Sequence, residues 1–252
     1  MSFDYLIKTL WISNYFENFS KSEDKQEKNF AIKRYFKHVE GAKKMVVILP
    51  ARNNALLLTK FLCWRINRSG SSCLYYSFPN ELLSPDTKST LKGFMDKKEE
   101  IRRDISEVKD NFGYEDVDLV APSLGVVSAM LIANDNKDIN RLFLVVPGSC
   151  LAASLWHGIR TQKLKKIYEK NGIDCDKLQE LWKELAPKNN IDSLQDKSIN
   201  VYISKSDKVI PYEYGKEFAD CLVGKCKKLK VEENPILGHY LSVVKFYFFN
   251  KF

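Results

Sequence analysis

The residues of this chain best suited to chemistry are a serine, an aspartate and a histidine, which occur in that order at positions 123, 207 and 239. A serine hydroxyl can attack a carbonyl carbon when an imidazole accepts its proton and a carboxylate orients that imidazole. Ser123 is the only serine with a glycine two positions later. Because a Ser-x-Gly pair arises by chance about once in a chain of this length, its meaning depends on the surrounding elements.

Ser123 lies on a predicted turn between a strand and a helix. Residues 117–121 are mostly apolar and β-prone, and residues 126–133 continue with helical spacing. Such a turn directs the serine hydroxyl out of the sheet edge, above a helix N-terminus that favours developing negative charge. The turn requires small residues two positions before and after the serine, and Ala121 and Gly125 meet this requirement. The alternative role for this serine is a helix N-cap.

The acid and the base follow predicted strands in the same way. Asp207 lies in the loop after the predicted strand 200–204. His239 follows the predicted strand 228–232 and is preceded by Gly238. Ligands and reactive groups of open α/β sheets collect beyond the carboxyl ends of the strands. The pattern therefore predicts that the three side chains lie at one edge of a sheet.

On these motifs the sequence resembles the α/β-hydrolase superfamily from about residue 45 to residue 252. The superfamily has a Gly-x-Ser-x-Gly turn, and this chain has Ala121-Pro-Ser-Leu-Gly125, with alanine in place of the first glycine. The acid precedes a short apolar segment that ends in proline, as in Asp207-Lys-Val-Ile-Pro211, and the histidine follows a glycine. The resemblance identifies no subfamily. It implies a three-layer α/β/α sandwich with a mostly parallel central sheet and a small helical cap, inserted here at 148–198.

The resemblance also assigns roles to individual residues. Ser123 would be the nucleophile, His239 the general base and Asp207 the acid that orients it. One backbone donor of the oxyanion hole would be the amide of Leu124, the residue after the nucleophile. The second would come from the loop after the strand 44–49, where the aligned residue is Arg52. The His-Gly pair that the superfamily often carries there is absent from this chain.

Other residues are alternatives for these roles or candidates for the substrate pocket. His157 is the alternative base or a pocket-lining residue, whereas His38, in a charged stretch, is expected on the surface. Asp192 is a less favoured substitute for the acid. Trp156 and Trp182, in the predicted cap, are expected either to line an acyl or alcohol pocket or to pack between helices.

Composition limits the classes of function. The chain of 252 residues has 40 Lys and Arg against 32 Asp and Glu, a net charge of +8. Its 32 lysines and eight arginines are spread along the chain without a basic tract, which favours a solvated surface over a nucleic-acid site. The six cysteines show no metal-ligand spacing, and no Gly-rich phosphate-binding motif occurs, so neither a metal nor an organic cofactor is predicted. No signal peptide and no membrane span are evident, and a cytoplasmic location is the default expectation.

The organisation expected is one α/β domain over residues 1–252, with the cap at 148–198 and an N-terminal segment, 1–43, without an assigned role. The apolar patterns predict strands at 44–49, 72–78, 117–121, 141–146, 200–204 and 228–232, and helices at 29–36, 54–66, 89–112, 126–133, 161–170, 176–185, 212–222 and 240–249.

The resemblance implies a serine hydrolase that cleaves a carboxylic ester, or a thioester or amide, through an acyl-enzyme. The partner would be a small acyl substrate. Acyl transfer by the same three residues is an alternative, and so is a ligand-binding protein without catalysis, because a fold alone does not establish an activity. The sequence leaves the oligomeric state open.

Overall fold

A computed structural model describes residues 33–51, 56–78 and 82–252 of the chain, with the side chain of Leu56 excepted. Most of the predicted N-terminal segment 1–43 therefore lies outside the described residues, as does part of the helix predicted at 54–66. The described strands and α-helices are, in chain order, β1 (Lys33–Lys37), β2 (Lys44–Ile48), α1 (Leu56–Arg68), β3 (Ser72–Ser77), α2 (Thr87–Phe112), β4 (Asp116–Pro122), α3 (Gly125–Asn134), β5 (Ile139–Val145), α4 (Leu151–His157), α5 (Gln162–Lys170), α6 (Cys175–Leu181), β6 (Ser198–Ser204), α7 (Tyr212–Cys221), β7 (Lys228–Asn234) and α8 (His239–Phe249).

Seven strands of the described residues form one sheet in the order β1-β3-β2-β4-β5-β6-β7. Every neighbouring pair is parallel except β1 and β3. The central strands are apolar along nearly their whole length because helices cover both of their faces. In β2, Met45 and Val47 face one core and Val46 and Ile48 face the other.

The helices form the two outer layers. On one face α1 and α8 pack against the sheet through residues such as Leu62 and Phe246. On the other face α2, α3 and α7 contribute residues such as Phe94, Ala129 and Phe218. The predicted three-layer α/β/α sandwich with a mostly parallel sheet is confirmed. The six predicted strands occur with ends shifted by about two residues at most.

The helix predicted at 29–36 is wrong over its described part, where β1 is a strand paired antiparallel with β3. Tyr35 stacks on Tyr75, with ring centroids 4.7 Å apart, and packs against one core. Its neighbour Phe36 packs against the other core. Adjacent aromatic residues on opposite faces follow the two-residue period of a strand, and aromatic side chains favour strands.

The segment 148–198 is mainly helical. It contains α4, α5 and α6, followed by two short 3-10 turns, Lys183–Leu185 and Pro187–Asn189. The helix predicted at 161–170 corresponds to α5, and the one predicted at 176–185 is divided into α6 and the first 3-10 turn. Leu164, Tyr168 and Leu178 bury their side chains in the core formed with α2, α3 and the sheet.

Helix α3 lies so close to the sheet that it requires glycine at its first residue. A Cβ at position 125 would lie 2.9 Å from the carbonyl oxygen of Leu49 and 3.0 Å from that of Pro50. Both atoms belong to the backbone at the end of β2 and cannot move aside as a flexible side chain could. Gly125 therefore permits the contact between α3 and the neighbouring strand.

We expect Gly125→Ala to lower the free energy of unfolding by roughly 1–3 kcal/mol, the usual result of overpacking, as measured by urea denaturation. Gly93→Ala is the matched control, because Gly93 lies within α2 and, of the described residues, its added Cβ would meet the side-chain tip of Leu82 alone, at 3.3 Å. There the gain in helix propensity offsets the contact. Equal stabilities of the two variants would contradict this interpretation of Gly125.

Candidate active site

Ser123 occupies a sharp turn between β4 and α3. Its φ of 53° is in the left-handed region, which residues other than glycine rarely adopt. Its amide donates a hydrogen bond to the carbonyl of Val145 at 2.8 Å, and its carbonyl accepts one from the amide of Val126 at 3.0 Å. These bonds fix the turn to β5 on one side and to the first turn of α3 on the other. The hydroxyl therefore lies beyond the carboxyl end of β4, near the N-terminus of α3.

Asp207 lies in the loop after β6, and its carboxylate is held by its own loop. Its Oδ1 accepts hydrogen bonds from the amides of Val209, at 2.8 Å, and Ile210, at 2.9 Å. Aspartate commonly forms such local bonds in turns. Because both bonds use Oδ1, Oδ2 is left to face His239.

His239 is the first residue of α8, and the loop that precedes it is tied to the acid loop. The hydroxyl of Ser206 donates to the carbonyl of Pro235 at 2.9 Å, and that of Ser204 donates to the carbonyl of Leu237. Strands β6 and β7 are neighbours in the sheet. The acid and the histidine are therefore positioned by adjacent strands and by hydrogen bonds between their two loops.

The three side chains form a continuous hydrogen-bonded chain. Asp207 Oδ2 lies 2.6 Å from His239 Nδ1, and His239 Nε2 lies 3.0 Å from Ser123 Oγ. Since a carboxylate only accepts, Nδ1 carries the proton and Nε2 is free to accept one from the serine. The side chains of Asp207 and His239 are 3% and 4% exposed. This shielding from water strengthens their interaction, and the 3.0 Å distance is within the range for proton transfer.

A cavity of about 460 Å³ opens beside these three hydrogen-bonded residues and is lined by both Ser123 and His239. Most of its other described lining is apolar and includes Leu58, Leu155 and Val243. Tyr247 and Thr59 contribute hydroxyl groups, and burial raises the pKa of the Tyr247 phenol, which therefore stays neutral. The cavity can accommodate an apolar group of a small molecule next to the serine hydroxyl.

Several solved structures are similar to this chain over more than four fifths of its length. An esterase of Pyrococcus furiosus is 15% identical, with a TM-score of 0.59, over 86% of this chain and 85% of the other. Est1E of Butyrivibrio proteoclasticus, solved with ferulic acid, is 13% identical, with a TM-score of 0.61, over 86% and 93%. Acetyl xylan esterase 1 of a Thermoanaerobacterium species is 13% identical, with a TM-score of 0.62, over 83% and 74%. The chain has the α/β-hydrolase fold.

The recognition of the α/β-hydrolase fold from three short motifs is thereby confirmed. The sequence itself matches no protein-family model and no curated protein. At 13–15% identity the similarity extends to the architecture, so the chemistry has to be argued from the residues of this chain.

Of the two residues predicted for the oxyanion hole, only Leu124 is described. It lines the cavity and stands at the N-cap position of α3, immediately after Ser123. Arg52 lies outside the described residues, although Pro50 and Ala51, which precede it, also line the cavity. The role of Leu124 stays a prediction that its position supports.

Trp156, His157 and Trp182, which were predicted to line the substrate pocket, are not among the residues that line this cavity. Trp182 is 1% exposed, and its indole N–H donates to the carbonyl of Thr87 at the start of α2. Trp156 packs beneath the ammonium group of Lys165. Both tryptophans bury their rings between the helices of the segment 148–198 and the rest of the core, as helix-packing residues do.

His157, the alternative base, is also placed elsewhere. Its Nδ1 lies 2.7 Å from the hydroxyl of Tyr214, and the ring is exposed. His38 lies on the surface near Tyr114, as expected. Asp192, the substitute acid, has an 80% exposed side chain. His239 is the histidine that the structure brings to Ser123.

Sequence reasoning missed several residues that line the cavity. Val209, Ile210 and Tyr240 are sequence neighbours of the acid and the histidine, and this adjacency was a usable signal. Arg160 carried no such signal, because it is one arginine in a loop of unknown placement. It lines the cavity from the segment after α4.

In the part of the chain that the structure describes, no group of three or more His, Cys, Asp or Glu side chains is arranged to hold a metal ion. Within the same residues, no helix combines the length and the apolar character needed to cross a membrane.

Proposed function

We propose that this protein is a serine hydrolase that cleaves a carboxylic ester through an acyl-enzyme. The observation that carries the proposal is the hydrogen-bonded chain from Asp207 through His239 to Ser123, at 2.6 and 3.0 Å, next to an open cavity. A serine in a strained turn, a histidine in the accepting tautomer and a buried carboxylate are together the requirements for nucleophilic attack by a hydroxyl.

In the first step Ser123 Oγ attacks the carbonyl carbon of the bound ester while His239 Nε2 takes its proton. The imidazolium that forms is stabilised by the carboxylate of Asp207, which stays ionised. Collapse of the tetrahedral intermediate transfers that proton to the leaving alcohol and leaves the acyl group on Ser123. Water then attacks the acyl-enzyme, with His239 again acting as the base.

The negative charge on the tetrahedral oxygen requires donors that are already in place. The amide of Leu124, at the N-terminus of α3, is the first, and the helix dipole favours the same charge. The predicted second donor is the amide of Arg52. In characterised enzymes the loss of one such donor lowers kcat by a factor of roughly 10²–10³.

The substrate is a small ester whose acyl or alcohol part is accommodated by the apolar cavity. The segment 148–198 supplies part of its wall through Leu151, Leu155 and Pro187, which supports the proposal that this segment is a cap over the site. The Pyrococcus furiosus and Thermoanaerobacterium proteins of the same fold are esterases, which supports the same substrate class.

The proposal predicts turnover of p-nitrophenyl esters, tested across a series of acyl lengths. Ser123→Ala should lower kcat by a factor on the order of 10⁴ or more, since the nucleophile is removed. Ser193→Ala, at an exposed position in the segment 148–198, is the control and should keep wild-type activity. An added alcohol shows whether the acyl group passes to acceptors other than water. Folded protein that turns over none of these esters would contradict the proposal.

Asp207→Asn tests the tautomer argument separately from the nucleophile. The amide oxygen can keep the hydrogen bonds from Val209 and Ile210, but the amide nitrogen then faces His239 Nδ1. Because an amide N–H donates, it favours the tautomer with the proton on Nε2, which cannot accept the serine proton. We expect kcat to fall by a factor on the order of 10⁴ with little loss of stability.

The matched control is Asp192→Asn, which removes the same charge from the exposed candidate acid and should leave kcat unchanged. If Asp207→Asn kept kcat within about tenfold of the wild type, the orienting role of Asp207 would be refuted.

A further inference from the structure

The described lining of the cavity carries one positive charge and no negative charge. Among the described lining residues, Arg160 is the only side chain with a permanent charge, and no carboxylate is present. Apart from Arg160 and His239, these residues are apolar, glycine, or carriers of a neutral hydroxyl group. An apolar cavity with a single cation favours ligands that combine an apolar part with an anionic group.

The backbone around Arg160 is fixed against the loop of the catalytic acid. The amide of Ile159 donates to the carbonyl of Lys208 at 3.3 Å, one residue after Asp207. A Cβ at Gly158 would collide with the carbonyl oxygens of Val209 and Ser154. On the other side, the hydroxyl of Thr161 bonds to the carbonyls of Leu155 and Gly158. Arg160 therefore projects from a backbone tied both to α4 and to the acid loop.

The guanidinium group contacts the aromatic ring of Tyr240, the residue after the candidate catalytic histidine. Its Cζ is 5.2 Å from the ring centroid of Tyr240, within the range of a cation–π contact. The Tyr240 ring in turn lies edge-on to the His239 imidazole, with centroids 5.3 Å apart. One aromatic ring thus spans the distance between the guanidinium and the imidazole.

Arg160 has no ion-pair partner among the described residues. Within the described residues, the guanidinium has the ring of Tyr240 as its neighbour and no carboxylate. A guanidinium presents five donors in a rigid fork that suits a carboxylate or another oxyanion. Arg160 is exposed and lines the cavity, so its donors are accessible to an anionic group bound there.

We propose that Arg160 binds an anionic group of the substrate, so that the preferred ester carries a carboxylate or similar oxyanion on its acyl or its alcohol part. This inference rests on the proposed ester hydrolysis and narrows its substrate class. The cation–π contact with Tyr240 keeps the guanidinium beside the cavity, and the apolar wall accommodates the carbon chain that joins the anionic group to the ester. Ser123 then attacks the ester carbonyl while the anionic group, at the far end of the acyl or alcohol part, is bound at Arg160.

The test compares pairs of esters that differ by one carboxylate. The mono-p-nitrophenyl ester of glutaric acid is paired with p-nitrophenyl valerate for the acyl side, and 3-carboxyphenyl butyrate with phenyl butyrate for the alcohol side. We expect wild-type protein to prefer the anionic member of one pair in kcat/KM, mainly through a lower KM. In Arg160→Gln the preference should fall roughly tenfold or more, the factor of one charge-assisted hydrogen bond. Arg160→Lys should keep part of it.

Lys165→Gln is the matched control. Lys165 belongs to the same segment, and its ammonium lies 5.1 Å from the ring centroid of Trp156, but it does not line the cavity. Removing its charge should leave the preference unchanged.

The two proposals fail in different ways. Protein that hydrolyses the neutral esters with no preference for either anionic partner, or with a preference that Arg160→Gln leaves intact, would overturn the role of Arg160 alone. If Lys165→Gln lowered the preference for the anionic ester by a comparable factor, the preference would be a general effect of net charge and the specific role of Arg160 would be refuted. Folded protein that hydrolyses no ester would overturn the proposed function itself.

Discussion

Ser123 holds a backbone conformation that a residue with a Cβ rarely adopts, and the elements on either side of it maintain that conformation. A left-handed φ at a non-glycine residue raises the energy by roughly 1–3 kcal/mol. Here it is imposed by α3, which is buried along nearly its whole length and lies so close to β2 that only glycine fits at position 125. Because the strand and the helix are each fixed by the core, the chain between them has to turn sharply. The hydroxyl is exposed to the cavity as a consequence of this packing.

The same sheet determines where the acid and the base lie. Since β4, β5, β6 and β7 are consecutive in the sheet and parallel, their carboxyl ends meet at one edge. Asp207 and His239 follow β6 and β7, and the serine hydroxyls between their loops limit how far the two can separate. The three side chains are thus positioned by the sheet edge, two short loops and the first residues of α3 and α8, whereas the cavity depends on the length of α8 and on the segment 148–198.

Much of this arrangement could be predicted from sequence because it depends on local patterns. Apolar runs located the central strands, and Ser123, Asp207 and His239 came shortly after the predicted strands 117–121, 200–204 and 228–232. The edge strand β1 was missed because Tyr35 and Phe36, both half-buried, pack on opposite faces against residues distant in sequence. The sequence could not show whether the side chains of Trp156 and Trp182 face the core or the pocket, since an aromatic residue on an amphipathic helix packs equally well in either place. Arg160 could not be predicted because its position depends on how its loop packs against the acid loop.

The most direct test of the central claim is a covalent one. Folded protein treated with an alkyl fluorophosphonate and then analysed by peptide mass spectrometry should carry one adduct, on Ser123, because the phosphonyl group reacts only with a serine that an adjacent base activates. Heat-unfolded protein should not be labelled, since unfolding separates His239 from the hydroxyl. Folded protein without an adduct on Ser123, or labelled equally at other serines, would contradict the account.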